Sequence, residues 1–448
     1  MPGDPDVQTH MKEEVPASPV IAISEMQTLR PMGLVRAFVQ QPASFWFACG
    51  YLFCEYVRPQ SIYPWIDIVP WPAVFIGLAL LCAVLEGQAH ADSSGIGAGL
   101  LLMSAIVLMS ALAAQQPALS FSKWRMFYDW VIIYFVLRKA VNTETKLFMF
   151  IVLFVVVNIK MTQHGFLTWA ARGFAFDRWG VSGAPGWFQN SGEFGIQLCV
   201  FTPLLTCVAL ALWKEWGLTA RVFVVVVLIS ALGSAIATSS RGALVGLAAA
   251  SMWMAMRSRY FVRALVALAI VGSIVYSNIA EESLARFRNM GNDQTSLHRM
   301  ERWEHGWQAM KDNPLLGVGV KNWEVYYPLH FRPKHAGPMM VHNVFIEAGI
   351  ELGFLGLGAF LWLIFLVFRT TRRVISMPDQ DNFMVGLSRG LEAGTVGLVV
   401  SSSFVTVFYY PYFWIQFLLA SCLYSAARNG HLAPDGRESG PRREVLEN

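Results

Sequence analysis

Arg241, Arg299 and His342 are the residues whose types and surroundings can do chemistry in this chain. Arg241 stands between two apolar runs in GSAIATSSRGALVGLAAA, residues 233–250. An arginine near hydrocarbon costs about 2.5–3.5 kcal/mol even on lenient scales unless it snorkels or meets an anion. Ser239, Ser240 and Gly242 leave its guanidinium unshielded and the backbone approachable. Arg299 lies in SLHRMERWEHGWQAMKD (296–312), where helical spacing puts it on one side with Trp303. Arg302 sits between Glu301 and Glu304 and reads first as a surface partner of those acids. His342, followed by Asn343, opens an apolar segment that carries Glu347 and Glu351 one turn apart on the same face. A histidine at such a helix mouth can be neutral near pH 7 and accept a proton, which an arginine cannot. Each residue also has a plainer reading. Arg241 can be a snorkelling boundary residue, His342 a cap or a headgroup contact, and the two glutamates neutralisers of arginines in the bundle.

Two permanent cations and one titratable base form a recognisable set. A fixed cationic clamp stabilises a pyrophosphate leaving group as its charge develops, and the histidine can take the proton of an attacking hydroxyl. That is the chemistry of moving a sugar from a lipid pyrophosphate, whereas a nucleotide-sugar enzyme needs its donor on the cytoplasmic side. The order HRMERWEH is not the HExxH arrangement in which two histidines one turn apart hold zinc, so no metal site is expected from His298, Glu301, Glu304 and His305. His330 and His335, among Pro and basic residues, read as loop or interface histidines.

The elements that must position these residues are membrane helices. The chain is 55% hydrophobic and 14% charged with a mean hydropathy of +0.45, far from the roughly 25% charge of a soluble domain. An all-α, polytopic transmembrane bundle follows, with about 12 spans at 40–57, 70–86, 97–114, 123–138, 145–161, 193–213, 219–238, 241–257, 260–278, 343–368, 385–408 and 411–427. Clustered cations at Arg138 and Lys139, at Arg257, Arg259 and Arg263, at Arg369, Arg372 and Arg373, and at Arg428 mark the cytoplasmic connections. The polar stretch at 279–342 then becomes a partly helical periplasmic loop. From Glu281 to His342 it holds eight Lys or Arg, seven Asp or Glu and five of the chain's nine histidines. Residues 1–39 and 428–448 read as flexible cytoplasmic tails around a membrane domain at 40–427, and the start lacks the charged head and apolar core of a signal peptide. RPQSIYPWIDIVPWP (58–72) reads as a rigid interfacial turn or a groove lining. The first half of 162–192 reads as a short interfacial helix with Phe166, Trp169, Phe174 and Phe176 toward lipid. The six cysteines lie in apolar segments without metal spacing, and no basic face suggests nucleic acid.

SSRGALVGL (239–247), the stretch from Arg299 to Trp303 followed by DNPLLGVG (312–319), and HNVFIEAGIELGFLGL (342–357) together resemble the bacterial O-antigen ligase and polymerase family over roughly 190–425. The resemblance implies a multi-pass inner-membrane, inverting glycosyltransferase that uses undecaprenyl-pyrophosphate glycans, with no metal, nucleotide or other cofactor. It matches Arg241 and Arg299 to donor binding and His342 to catalysis; beside them Arg302, Trp303, Asn343 and Glu347 are read from their positions as supporting residues. The acceptor is a lipid-linked glycan in a polymerase or lipid A-core in a ligase. Polymerisation is placed first, because no feature of the sequence identifies a lipid A-core acceptor. A lipid-linked glycan transporter is the competing class, but polar residues gather in one loop, with no repeated pair of broken helices. The orientation has a direct check. A cysteine at Gly291 should react with an impermeant thiol reagent in intact spheroplasts, and labelling only after lysis would reverse the topology.

Overall fold

The computed structural model describes residues 23–87, 94–174, 180–278, 294–332 and 340–432, and these form helices joined by short connections. The first half runs α1 (Ile23–Gln27), α2 (Pro31–Val39), α3 (Ala43–Val57), α4 (Pro59–Ile62), α5 (Trp71–Leu85), α6 (Ile96–Ala113), α7 (Pro117–Lys123), α8 (Arg125–Ala140) and α9 (Glu144–Ala171). The second runs α10 (Ser191–Leu212), α11 (Leu218–Ala237), α12 (Arg241–Met256), α13 (Phe261–Asn278), α14 (Gln294–Asp312), α15 (Trp323–His330), α16 (Val344–Ser376), α17 (Asn382–Ser402) and α18 (Pro411–Leu432). Six of them, α6, α9, α10, α11, α16 and α17, are long and apolar enough to cross a membrane among the described residues. The expected count of about 12 is therefore not reached on length and composition; α5 and α12 are apolar but shorter.

Helix α17 lies at the centre, packed on α10 and α12. Its glycines make this possible, since apolar helices in lipid associate through close backbone approach rather than through water exclusion. A Cβ at Gly390 would stand 2.9 Å from the Leu204 Cα, and one at Gly397 would stand 2.8 Å from the Cys199 carbonyl. The close-approach spacing expected at Gly242 and Gly246 is also used. Gly242 faces the Phe404 side chain, and Gly246 faces the Gly397 carbonyl.

Two sequence expectations change. Residues 23–39, read as part of a flexible tail, form α1 and α2, with Met26 buried and the Gln27 carbonyl accepting from Trp216 Nε1 at 2.8 Å. The separate interfacial helix after residue 161 is instead the continuation of α9, whose Gly165 meets Ser234 and whose Phe166 meets Gly233 on α11. Phe166 is half-buried against α11, and Phe176 lies outside the described residues, as do Gly291 and His335.

Helix α16 contains a built-in interruption. Gly353 takes φ 69°, ψ −171°, a region essentially reserved for glycine, and the turn opens there. The backbone groups it releases are taken by the DNPLLGVG connection after α14. Val318 N donates to the Ile350 carbonyl at 2.8 Å, Gly319 N to the Glu351 carbonyl at 3.2 Å, and Phe354 N donates to the Pro314 carbonyl at 2.8 Å. Ser110 Oγ of α6 also donates to the Glu351 carbonyl at 2.6 Å. Opening a helix inside an apolar bundle is tolerable only when every freed group is re-paired in this way. A Cβ at Gly353 would stand 2.4 Å from the Leu315 carbonyl group. Gly353→Ala should therefore cost at least ~2 kcal/mol and lower the Tm in detergent. Gly358→Ala, with nothing within 4 Å, should leave Tm unchanged or slightly raised; equal effects would mean that the interruption is not a built feature.

Candidate functional site

The connection between α17 and α18, residues 403–410, gathers the site. Phe404 packs against Gly242 beside Arg241 and also against the Trp303 ring of α14, with centroids 6.5 Å apart. Trp303 Nε1 donates to the Val341 carbonyl at 2.7 Å, and the next residue, His342, donates its amide to Thr406 Oγ1 at 2.9 Å. The first turn of α12, helix α14 and the start of α16 therefore meet on one short segment. Arg241, Arg299 and His342, far apart in sequence, are brought to one end of the bundle.

Each supporting residue has a defined task. Asn343 caps α16, its Oδ1 accepting from Phe345 N at 2.9 Å and Ile346 N at 3.2 Å. Glu347 accepts from Phe408 N at 3.1 Å and lies 3.4 Å from Lys321 Nζ. Glu351 accepts from Lys321 N at 2.9 Å and from the Tyr409 hydroxyl, and Lys321 Nζ sits 4.2 Å from the centre of the Tyr409 ring. The acids thus pair with a lysine rather than with arginines. Burial disfavours the Lys321 ammonium, but Glu351 and Glu347 outweigh it and hold its pKa above the ordinary value. A cavity of about 40 Å³ lined by Lys321, Glu347, Glu351, Val341 and Thr406 adjoins His342. It is well below the roughly 300 Å³ at which small-molecule sites begin, so it has room for water but not for a sugar ring.

Arg302 is not the surface ion partner its neighbours suggested. Its side chain is among the most deeply buried in the chain, 3.3 Å from Glu301 and with its guanidinium carbon 4.8 Å from the centre of the Tyr327 ring. Its task is to hold α14 to α15. The histidines nearby are similarly engaged: His305 stacks on Phe331 at 4.6 Å and His330 on Tyr326 at 3.8 Å.

His342 has φ +48°, a left-handed conformation that is uncommon for a residue with a side chain. Ser239 and Lys321 share this conformation, at φ 52° and 55°. Burial, and next the Arg299 guanidinium, push the His342 imidazole down to about 4. The ring is thus neutral at pH 7, as expected for a proton acceptor, but does not titrate near the working pH. Sequence reasoning missed Lys321 and the whole 403–410 connection. It also missed a neighbouring group in which Arg58 lies 5.6 Å from the Trp187 ring, Trp187 packs on Tyr410 at 5.1 Å, and Tyr410 hydrogen-bonds Glu193. The signal available was SSSFVTVFYYPYFW (401–414), a polar and aromatic run between two apolar helices.

Residues 225–361 match the family model of the O-antigen ligases, which supports placing the chain in the O-antigen ligase and polymerase family. The match runs from α11 through the interruption in α16 and contains Arg241, Arg299 and His342. A search of curated proteins finds no match. The depressed imidazole gives a stability signature. An unfolded histidine titrates near 6.5, so between that value and about 4 the unfolded chain binds the extra proton. The contribution of His342 is whole above pH ~6.5 and is lost as pH falls toward 4. Over that window Tm should fall more steeply in the wild type than in His342→Gln, and parallel profiles would show that the ring is not held neutral.

Proposed function

We propose that this end of the bundle transfers a glycan from an undecaprenyl-pyrophosphate donor to a glycan hydroxyl on the periplasmic side, with inversion at the transferred sugar. The observation that carries the reading is the juxtaposition of Arg299, a permanent cation, with His342, a neutral imidazole at a helix mouth. Arg241 and Arg299 hold the pyrophosphate, because guanidinium forks pair with phosphate oxygens. The acceptor oxygen forms its bond to the anomeric carbon as the bond to the pyrophosphate oxygen breaks. The electron pair leaves with the pyrophosphate, and the acceptor proton passes to His342. Trp303 and Thr406 position His342, and Asn343 and Glu347 fix the helix start behind it. The step is carried by residues of the chain itself and calls on no metal.

Chain polymerisation is the first reading of the acceptor. Transfer to lipid A-core is the second, and the description of the matching family model favours it. Proteoliposomes supplied with purified lipid-linked repeats, with and without lipid A-core, separate them: elongation without lipid A-core marks a polymerase, and product only in its presence marks a ligase. In the same assay Arg241→Lys and Arg299→Lys should each lower turnover by about tenfold or more at limiting donor, since a point charge replaces a fork. His342→Ala should lose roughly 10²–10⁴. Near-normal turnover in His342→Lys would show that charge suffices and would remove the base role. Donor crossing the bilayer without product would make the protein a transporter.

A further inference from the structure

Helices α12 and α16 both start at the candidate site, with Arg241 and with Val344 next to Asn343, and run away from it together. Arg369 lies roughly 35 Å further along α16 at about 1.5 Å per residue, close to the thickness of a bilayer's hydrocarbon core. There Trp253 of α12 and Phe365, Phe368, Arg369 and Arg373 of α16 enclose a groove of about 680 Å³, a size typical of small-molecule sites. Its walls combine aromatic rings with guanidinium groups.

The charge in this groove is not balanced from within. Glu392 is the acid that pairs with the neighbouring arginines, and it is almost completely buried and already taken. Arg257 Nη2 lies 3.1 Å from it, Arg372 Nε 3.7 Å, and Thr371 Oγ1 donates to it at 3.2 Å. Among the described residues no ion pair involves Arg369 or Arg373, and both line the groove. Arg259 and Arg263, stacked on Tyr260 at the start of α13, add positive potential at the same end.

A second observation is independent of charge. Trp253 packs edge-on against Phe368 at 5.8 Å with the Arg257 guanidinium 5.7 Å from its ring. Its indole Nε1 is buried and has no hydrogen-bond partner among the described residues. The protein itself covers that nitrogen, so Trp253 offers the groove apolar ring surface rather than a donor. The flank is apolar and open: Phe365 is 50% exposed, and Leu361 and Trp362 above it are each 48% exposed.

We propose that this groove binds one anionic glycerophospholipid of the leaflet at that end. The phosphate sits between Arg369 and Arg373, and an acyl chain lies along Trp253, Phe365 and Phe368. Two guanidinium groups without acids favour a headgroup of net negative charge over a zwitterionic one, whose ammonium they repel. The site stands a membrane's thickness from Arg241 and His342, so it is separate from the place of the pyrophosphate donor and does not rest on the glycan-transfer reading.

The test uses the full chain in nanodiscs of phosphatidylcholine with a minor fraction of phosphatidylglycerol, followed by exchange into pure phosphatidylcholine. Native mass spectrometry then counts the phosphatidylglycerol retained. Wild type should keep about one molecule per chain, and a parallel preparation with phosphatidylethanolamine should keep none. Arg369→Gln/Arg373→Gln should retain about tenfold less or lower, because removing a charge-assisted hydrogen bond weakens binding by at least about a factor of ten. Equal retention in the double variant, or equal retention of the zwitterionic lipid, overturns the proposal. A separate measurement needs no arginine variant. Phosphatidylglycerol brominated on its acyl chains should quench the fluorescence that wild type has and Trp253→Phe lacks. Absence of quenching means that a segment of the chain fills the groove, and also overturns the proposal.

Discussion

One buried ion cluster holds the site together. Glu347 and Glu351 lie on a helix in an apolar bundle, where an unpaired carboxylate costs several kcal/mol. Lys321 supplies a charge to Glu347 and a backbone amide to Glu351, while Phe408 N and the Tyr409 hydroxyl supply further donors. Because these donors come from two different connections, the acids draw residues 314–322 and 403–410 onto the same two turns of α16. Breaking such a cluster by removing one partner leaves an uncompensated buried charge, typically a loss of about 3–5 kcal/mol. The pairing therefore specifies where the connections sit more than it adds to stability. The open turn at Gly353 belongs to the same arrangement, since the Glu351 carbonyl it frees is where Gly319 and Ser110 attach.

Backbone strain is concentrated at this end. Arg58, Ser239, Lys321 and His342 all carry positive φ with full side chains, each a departure that the surrounding structure must enforce. Ser239 turns the chain so that Ser240 caps α12 and Arg241 becomes its first residue. His342 turns it so that Asn343 caps α16. In both places the positive-φ residue sits immediately before a helix cap, so the cap and the packing behind it fix the side chain proposed to act, Arg241 in one case and His342 in the other. Gly180 sits against the Thr238 carbonyl, closer than any Cβ would allow, and Val181 N donates to the Ala237 carbonyl at 2.9 Å, which holds the Ser239 turn from outside.

The helices were legible in the sequence because hydropathy and breakers are local signals. Asn313-Pro314 closes α14 where expected, Gly242 and Gly246 make the close contacts their spacing announced, and HNVF opens α16. The misread segments are those in which local polarity meant packing rather than exposure. The span expected to end at residue 161 continues to Ala171, with the Thr162 carbonyl accepting from Ser234 Oγ of α11 and Gly165 lying against the same side chain. Arg302 sits between two acids and looks like surface, but Tyr327, twenty-five positions on, covers it. Lys321 and Thr406 carry no motif. Their importance comes from partners between 26 and 88 positions away, a distance that no window along the chain can sense.

The state of His342 constrains the order of events in the proposed transfer. A base held near 4 is weak, and an anionic donor on Arg299 removes only the smaller of the two causes that hold it there, since burial remains. Such a base cannot strip a proton from a free sugar hydroxyl at the outset. It can do so once the glycosidic bond to pyrophosphate has largely broken, because the oxygen then joining an oxocarbenium-like carbon becomes strongly acidic. Bond cleavage must therefore lead and proton transfer follow. The first demand in the proposed site then falls on the arginines that stabilise the departing pyrophosphate, and His342 takes the proton late.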